Sequence, residues 1–200
     1  MSEAQAVTLT YEDGTRAVEL AREAVDSYVI NGQREQPGSM REAFYARTGV
    51  FVRLVSTRGR QSLRGCAGAH DTSEQLGHVI VDSAISAASD DSCGSEVEPP
   101  ELSNLQISVF IVENTVETEN PAEDIELGTH GVAVEGRGTR ASMFPTLPVE
   151  NDWNEFEYLD RTCRKADLPR GAWEDDDVTV LLVEGPVFRE REPEGSIERI

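Results

Sequence analysis

The segment that decides the fold is residues 49–69, GVFVRLVSTRGRQSLRGCAGA. Its first part, Gly49 to Ser56, is rich in valine and other residues that favour β-strands. Arg58-Gly59-Arg60 predicts a turn, and a second strand is expected from Leu63 to Ala69. These residues together predict a β-hairpin.

Apolar residues spaced three and four apart predict a helix on either side of this hairpin. The first helix covers Thr15 to Ile30 and stops at Gly32. The second follows Thr72-Ser-Glu-Gln75, which fits a capping box, and it ends near Asp90. Both helices are expected to have one apolar face.

The rest of the chain alternates polar loops with short regular elements. Gly94 to Ser103 is acidic and contains Pro99-Pro100, which suits an exposed loop. Asn114 to Asp124 has charged residues, a proline and no apolar run, so we interpret it as a crossing into a second lobe. Two further strands are expected at Leu105–Val112 and Val178–Val183, and a hairpin of Gly131–Glu135 and Arg140–Phe144 around Gly136-Arg-Gly138. Asp152 and Glu155 are expected to open a helix whose apolar stripe is Trp153, Phe156, Leu159 and Cys163. The tail from Glu190 is expected to be frayed.

The order of these elements is helix, hairpin, helix, strand, hairpin, helix, strand. It has no regular β-α-β alternation, and no G-x-G-x-x-G motif joins a strand to a helix. The sequence therefore favours an α+β fold with antiparallel sheets over a dinucleotide-binding fold.

The composition indicates a globular and strongly acidic protein. The chain of 200 residues carries 38 acidic and 18 basic side chains, a formal charge of −20, and every basic residue except Lys165 is arginine. A cytosol at molar salt favours such a surface, because salt screens self-repulsion while hydrated carboxylates keep the protein in solution. We therefore predict a halophilic source, in which the total charge says little about partners.

Several classes of protein and site are disfavoured. No apolar stretch is long enough for a membrane helix and the first residues lack a signal pattern, so a cytoplasmic location is expected. Cys66, Cys93 and Cys163 are odd in number and far apart, which predicts reduced thiols. His70 and Cys66 would form only half of a metal site, so neither a metal nor a cofactor is predicted.

Leu63-Arg-Gly-Cys-Ala-Gly68 is the segment best suited to chemistry. Two glycines leave bare backbone on both sides of Cys66, which lets a ligand approach the sulfur. A nearby guanidinium such as that of Arg64 would favour the thiolate, and His130 is the candidate base from across a cleft. The alternative is that Cys66 is a small core residue, that the glycines permit close packing, and that His130 bonds its own turn.

Residues 43–70 depart locally from the overall acidity. They contain no acidic residue and five arginines, which are Arg47, Arg53, Arg58, Arg60 and Arg64. An anionic ligand or an acidic facing surface would explain this bias, and so would paired strands that exclude carboxylates. A nucleic-acid interface usually combines a large basic face with several aromatic side chains. Such an interface is disfavoured, because Phe51 is the main aromatic residue in this segment.

The hexapeptide Leu63–Gly68 resembles the signature of the AMMECR family. The similarity extends over most of the chain through shorter matches, which are Gly49-Val-Phe-Val, Ile107-Ser-Val109, Gly128-Thr-His-Gly131, Pro145, Trp153, Thr162-Cys-Arg-Lys-Ala166, Leu168 and Ala172-Trp173. Ala67 replaces the usual Ile of the signature, and Ser92 and Cys93 stand where the family commonly has Arg and Phe. If the Arg of the other family members binds a ligand or braces the signature, the arginines of the hairpin at residues 49–69 are the candidates to take over that role here.

The resemblance implies one AMMECR-type domain of two lobes, each with an antiparallel sheet, and places the signature at the cleft between them. We expect residues 1–116 and 174–200 in the larger lobe and residues 117–173 in the smaller one. The resemblance assigns no activity. Relatives linked or fused to Memo-type proteins and encoded beside radical-SAM proteins point to a modification pathway and to such proteins as partners.

Two functions remain open at this point. One is a binding module whose cleft, lined by Leu63, Arg64, Gly65, Cys66 and Gly68, holds a protein or peptide partner. The other is a thiol-dependent enzyme or modification-pathway component in which Cys66 reacts, Arg64 orients an anionic group and His130 transfers a proton. Because the sequence places no base beside Cys66 and has no cofactor motif, binding is favoured.

Overall fold

A computed structural model describes residues 8–38, 41–89 and 95–200. The chain divides into two compact units, one formed by Met1–Ile111 with Pro186–Ile200 and the other by Val112–Gly185. Each unit contains an antiparallel sheet with helices, which confirms the predicted α+β class. The atypical positions Ser92 and Cys93 lie outside the described residues.

The first unit is built on a five-stranded antiparallel sheet. Its strands are β1 (Val50–Ser56), β2 (Ser62–Ala69), β3 (Leu105–Ile111), β8 (Val187–Glu190) and β9 (Ile197–Arg199). They lie in the order β2-β1-β3-β8-β9, so the predicted hairpin forms one end of the sheet. Along β1, Val50, Val52 and Leu54 enter the core and alternate with residues on the other face.

Two helices complete this core, α1 (Tyr11–Asn31) and α2 (Leu76–Ser89), and a 3₁₀ turn covers Glu42–Tyr45. α1 starts earlier than predicted, because Thr10 and Asp13 form a reciprocal capping box, and it ends as expected at Gly32 with φ 65°. The capping box predicted at Thr72 is wrong. The Thr72 hydroxyl accepts a hydrogen bond from the Glu74 amide, and α2 begins only at Leu76.

The predicted frayed tail is instead an ordered part of the sheet. β9 pairs with β8, and Glu190, which is 3% exposed, accepts hydrogen bonds from Arg22 Nε at 2.9 Å and from the Ile107 amide at 3.0 Å. A charged residue at a chain end suggests a solvated tail, but here its carboxylate is paired with a cation on α1. The acidic segment before β3 also gains structure, as the 3₁₀ helix Pro99–Asn104.

The second unit has a four-stranded sheet of β4 (Asn114–Thr118), β5 (Gly131–Gly136), β6 (Thr139–Met143) and β7 (Val178–Glu184), in the order β4-β7-β5-β6. Its helical segments are α3 (Pro121–Asp124), α4 (Leu147–Glu150), α5 (Glu155–Lys165) and the 3₁₀ turn Ala172–Glu174. The predicted two-residue turn of the β5–β6 hairpin is present, with φ 54° at Arg137 and φ 80° at Gly138.

The interpretation of Asn114–Asp124 as a crossing between lobes is wrong. This segment forms β4 and α3, and β4 pairs along its length with β7. The structure therefore puts the unit boundaries at 111/112 and 185/186, whereas the sequence suggests 116/117 and 173/174. β4 gives little signal in the sequence because it is a short edge strand whose polar side chains are mostly exposed.

α5 begins at Glu155 with Asn154 as its N-cap, so Asp152, predicted to open the helix, and Trp153, predicted on its apolar stripe, lie before it. Its buried face contains Leu159 and Cys163, as expected, together with Tyr158 and Thr162. The spacing puts Phe156 on the apolar stripe, but its side chain is 56% exposed. The stripe is rotated because Tyr158 turns inward and donates a hydrogen bond to the Phe144 carbonyl at 2.8 Å.

The contact between Gly65 of β2 and α2 predicts that one added methyl group would strongly destabilise the fold. A β-carbon built at Gly65 would overlap the carbonyl oxygen of Ala87 in α2, and backbone on both sides prevents easy relief. We expect Gly65→Ala to lower the free energy of unfolding by about 3 kcal/mol, measured by urea denaturation. Gly59→Ala is the control, because that site is spacious and costs only the strain of φ 72°, about 1 kcal/mol. Equal losses in the two variants would contradict the packing argument.

Candidate binding site on the signature strand

The signature residues Leu63–Gly68 lie on β2, at one edge of the first unit's sheet as far as the described residues show. A strand in this position leaves a row of backbone amide and carbonyl groups without a strand partner on one side. Leu63 is 45% exposed, Cys66 is partly buried and Gly65 is buried. The signature therefore combines an apolar side chain in solvent with a strand edge.

Both signature glycines are required by packing. Gly65 lies against Ala87 of α2. Gly68 has φ 148°, and a β-carbon there would overlap the Val50 carbonyl oxygen. The bare backbone around Cys66 thus has a structural cause, whatever ligand approaches it.

Arg64 occupies a break in the regular pairing of the hairpin. The register passes from Leu54 opposite Gly65 to Val55 opposite Leu63, which leaves Arg64 as the extra residue of a β-bulge. A bulge redirects the side chain of its extra residue. Here the Arg64 side chain, 12% exposed, reaches the 3₁₀ helix that precedes β3.

The Arg64 guanidinium binds Glu101 in a two-pronged ion pair. Nε lies 2.7 Å from one carboxylate oxygen of Glu101 and an Nη lies 3.0 Å from the other. The Glu98 amide also donates to this carboxylate at 2.8 Å, and the hydrogen bond from Arg64 is the main cause of a lowered Glu101 pKa. Arg64 thus braces the acidic segment, and its proposed role in orienting an anionic ligand stays a prediction.

Cys66 lies on the sheet face opposite to the core. Because side chains alternate along a strand and Gly65 faces α2, Cys66 faces away from α2. It is directly opposite Arg53 on β1, and Arg53 is opposite Ser108 on β3. A thiol, a guanidinium and a hydroxyl therefore form one row across the sheet, and a cationic neighbour of this kind favours thiol chemistry.

His130 uses both ring nitrogens within the second unit. Nδ1 accepts a hydrogen bond from the Glu126 amide at 3.0 Å, and Nε2 lies 3.4 Å from a carboxylate oxygen of Glu184. The Glu126 contact is the local turn bond that was the alternative to a catalytic role, and the Glu184 contact joins His130 to the end of β7. Proton transfer between His130 and Cys66, like the cleft position of the signature, stays a prediction.

The remaining sequence predictions concern thiols, metals and membranes. Cys163 is fully buried in the second core, and burial raises the pKa of its thiol. Among residues 8–38, 41–89 and 95–200, no three His, Cys, Asp or Glu side chains are grouped to hold a metal ion. No helix in these ranges has the length and apolarity needed to cross a bilayer.

The sequence model of the AMMECR1 family matches residues 18–188. The chain belongs to this family. A protein of Halobacterium salinarum is 64% identical over 197 residues, covering 95% of this chain and 94% of its own. A protein of Methanopyrus kandleri is 37% identical over 198 residues, covering 94% of each chain.

The AMMECR1 fold is also present in a crystal structure of an uncharacterized protein from Pyrococcus horikoshii. It superimposes on this chain with a TM-score of 0.87 at 32% sequence identity, covering 96% of this chain and 98% of the other. Together with the relatives, this confirms the family resemblance drawn from the signature.

The ion pair at the AMMECR1 signature predicts a pH-dependent contribution to stability. The folded-state pKa of Glu101 lies below its usual value, so the pair stabilises above the unfolded pKa of about 4.3 and the contribution is lost as pH falls through the folded pKa. We expect Arg64→Gln to cost about 1 kcal/mol at pH 7 and progressively less as the pH is lowered below about 4.3, measured by denaturant unfolding. Arg60→Gln, at an exposed turn position, is the control. A cost for Arg64→Gln that does not change with pH would show that the ion pair is not its source.

Proposed function

We propose that this AMMECR1-family chain is a binding protein and that β2 receives an extended segment of a protein or peptide partner. The supporting observation is the exposed Leu63 side chain on an edge strand. Peptides bind such edges by adding a strand, with backbone hydrogen bonds for affinity and side-chain contacts for specificity. Packing of the fold explains the signature glycines but not an apolar residue in solvent.

The charges around β2 support the same function. Proteins commonly carry charged side chains on their edge strands, and these charges prevent the strands from pairing with other chains. The charged residue of β2 is Arg64, and its guanidinium is bound to Glu101. The strand therefore presents little charge to an incoming segment, in a chain whose net charge is −20.

A photo-crosslinking side chain at position 63 tests this function. We expect it to capture a partner segment, whereas the same group at Ile30, which is 60% exposed on α1, does not. Memo-type and radical-SAM proteins are the first partners to supply in purified form. Leu63→Ser should weaken binding of the captured partner about tenfold, since buried apolar contacts dominate such interfaces, while Ile30→Ser leaves it unchanged.

Hydrogen exchange provides a second measurement on the same complex. Strand addition should slow amide exchange in β2 relative to the chain alone. Equal capture at positions 63 and 30, or binding that leaves β2 exchange unaltered, would contradict the proposed site.

A thiol-dependent activity at Cys66 is the second candidate. It is supported by the partial exposure of Cys66 and by its position opposite Arg53. Cys163, buried in the second core, has no such access. In this candidate the thiol reacts, and β2 positions the substrate beside it.

Alkylation by iodoacetamide separates the two candidates, using a Cys93→Ser background so that two thiols remain. We expect Cys66 to react at least about tenfold faster than Cys163, because exposure gives access and burial raises the pKa of the Cys163 thiol. Mass spectrometry locates the label, and Cys66→Ser is the control. A Cys66 rate above that of a small free thiol at the same pH supports catalysis. A rate as slow as that of Cys163 contradicts it.

A further inference from the structure

A second surface, on α5 of the second unit, carries a charged group that the fold does not use. In the motif Thr162–Ala166, residues 162, 163 and 166 are buried. Lys165 Nζ donates a hydrogen bond to the Ser142 carbonyl at 2.8 Å. Arg164 is exposed, and within the described ranges its side chain pairs with no carboxylate. Packing and pairing therefore account for the motif except for Arg164.

Arg164 lines a cavity of about 150 Å³ together with Arg161, Arg170, Glu157 and Asp160. Glu157 accepts hydrogen bonds from Nε and an Nη of Arg161, at 3.0 and 2.8 Å. Asp160 lies 2.6 Å from Arg170 Nε. Each carboxylate thus pairs with one guanidinium, and the third guanidinium makes the cavity positive.

The Asp160 carboxylate is fixed in place and is not available to Arg164. Its Oδ1 accepts hydrogen bonds from the Gly171 amide at 2.9 Å and from Trp173 Nε1 at 3.1 Å. Burial acts to raise the pKa of Asp160, but the hydrogen bonds from Arg170 and Trp173 outweigh it and hold the pKa below its usual value. The group therefore stays ionised and paired at neutral pH.

The local charge is opposite to that of the whole chain. The cavity lining carries three guanidinium groups and two carboxylates, a local charge of +1 in a protein of net charge −20. Glu157 and Asp160 offset the charges of Arg161 and Arg170, and Arg164 remains as the like charge beside them whose repulsion neither carboxylate offsets. An anionic ligand would offset that repulsion.

We propose that this cavity binds a small oxyanion of the phosphate class. Planar guanidinium groups donate paired hydrogen bonds to phosphate oxygens, and three such groups, two on α5 and one on the loop after it, line the cavity. The volume is below the roughly 300 Å³ at which pockets for drug-sized ligands begin, so one phosphoryl group is the fitting size. This proposal does not depend on the binding function proposed for β2.

Each of the two tryptophans of the chain contacts a residue that lines the cavity. The Arg161 guanidinium lies over the Trp153 ring, 4.3 Å from its centre. Trp173 is bonded to Asp160. A ligand that draws the arginines inward should therefore change the intrinsic fluorescence.

The test is a titration of the whole chain with inorganic phosphate at constant pH and ionic strength, replacing KCl. We expect a saturable change in tryptophan fluorescence. Arg164→Gln should weaken binding about tenfold, the value of one charge-assisted contact. Arg164→Lys should retain part of the affinity, and Arg60→Gln, an exposed arginine of the first unit, should retain all of it. Unfolding midpoints establish that each variant is folded.

Two further ligands, glycerol phosphate and acetate, test which chemical class of anion the cavity binds. Glycerol phosphate binding as tightly as inorganic phosphate supports a phosphoryl group carried by a larger molecule, and binding of inorganic phosphate alone supports the free ion. Acetate binding as tightly as phosphate would overturn the assignment of class. Absence of a saturable change, or equal affinity in Arg164→Gln, would overturn the site itself.

Discussion

The backbone contact between Gly65 of β2 and Ala87 of α2 constrains the whole first unit. It sets α2 against the sheet at a distance that no side chain larger than hydrogen permits. It also decides which way the neighbouring residues face, because side chains alternate along the strand. With Gly65 turned to the helix, Cys66 is turned to the other face, in a row with Arg53 and Ser108.

The β-bulge at Arg64 is a second feature of this strand that determines how its side chains are used. It takes the arginine out of the regular pairing and delivers it to Glu101, which fixes the segment leading into β3. The charged residue of the strand is thereby used for support of the fold. What remains available along β2 is a backbone edge and Leu63, and this combination suits an extended partner better than it suits a charged substrate.

The sequence predicts elements whose cause is local, and it fails where the cause lies far along the chain. The hairpin of β1 and β2 and the helix α1 follow from composition and spacing within about 20 residues. β4 is stabilised by backbone pairing with a strand 70 residues away, as the Asn114–Glu184 pair shows, and its own side chains give no apolar signal. The ordered tail depends on an ion pair between Arg22 and Glu190, which are 168 residues apart.

The candidate site shows the same division. The glycines of the signature indicate close packing from their spacing alone, because few other roles need bare backbone on a strand. The exposure of Leu63 and the capture of Arg64 by Glu101 were not foreseeable, since they depend on a bulge and on a partner 37 residues away. For His130, the hydrogen bond that Nδ1 accepts from the Glu126 amide lies within its own turn, and proton transfer to Cys66 stays a prediction.

In this acidic chain, whether an arginine is paired with a carboxylate says more about the role of that arginine than the number of arginines does. With 38 acidic and 18 basic side chains, an arginine has many carboxylates within reach of a small displacement. Arg22, Arg64 and Arg137 each form an ion pair with at least one carboxylate, so their positions are explained by the fold. Arg164 lies beside two carboxylates that are already occupied, and it faces the same cavity as the arginines that occupy them. Among the described residues, Arg164 therefore has no carboxylate of its own beside two other guanidinium groups, and a bound anion would supply one partner for it.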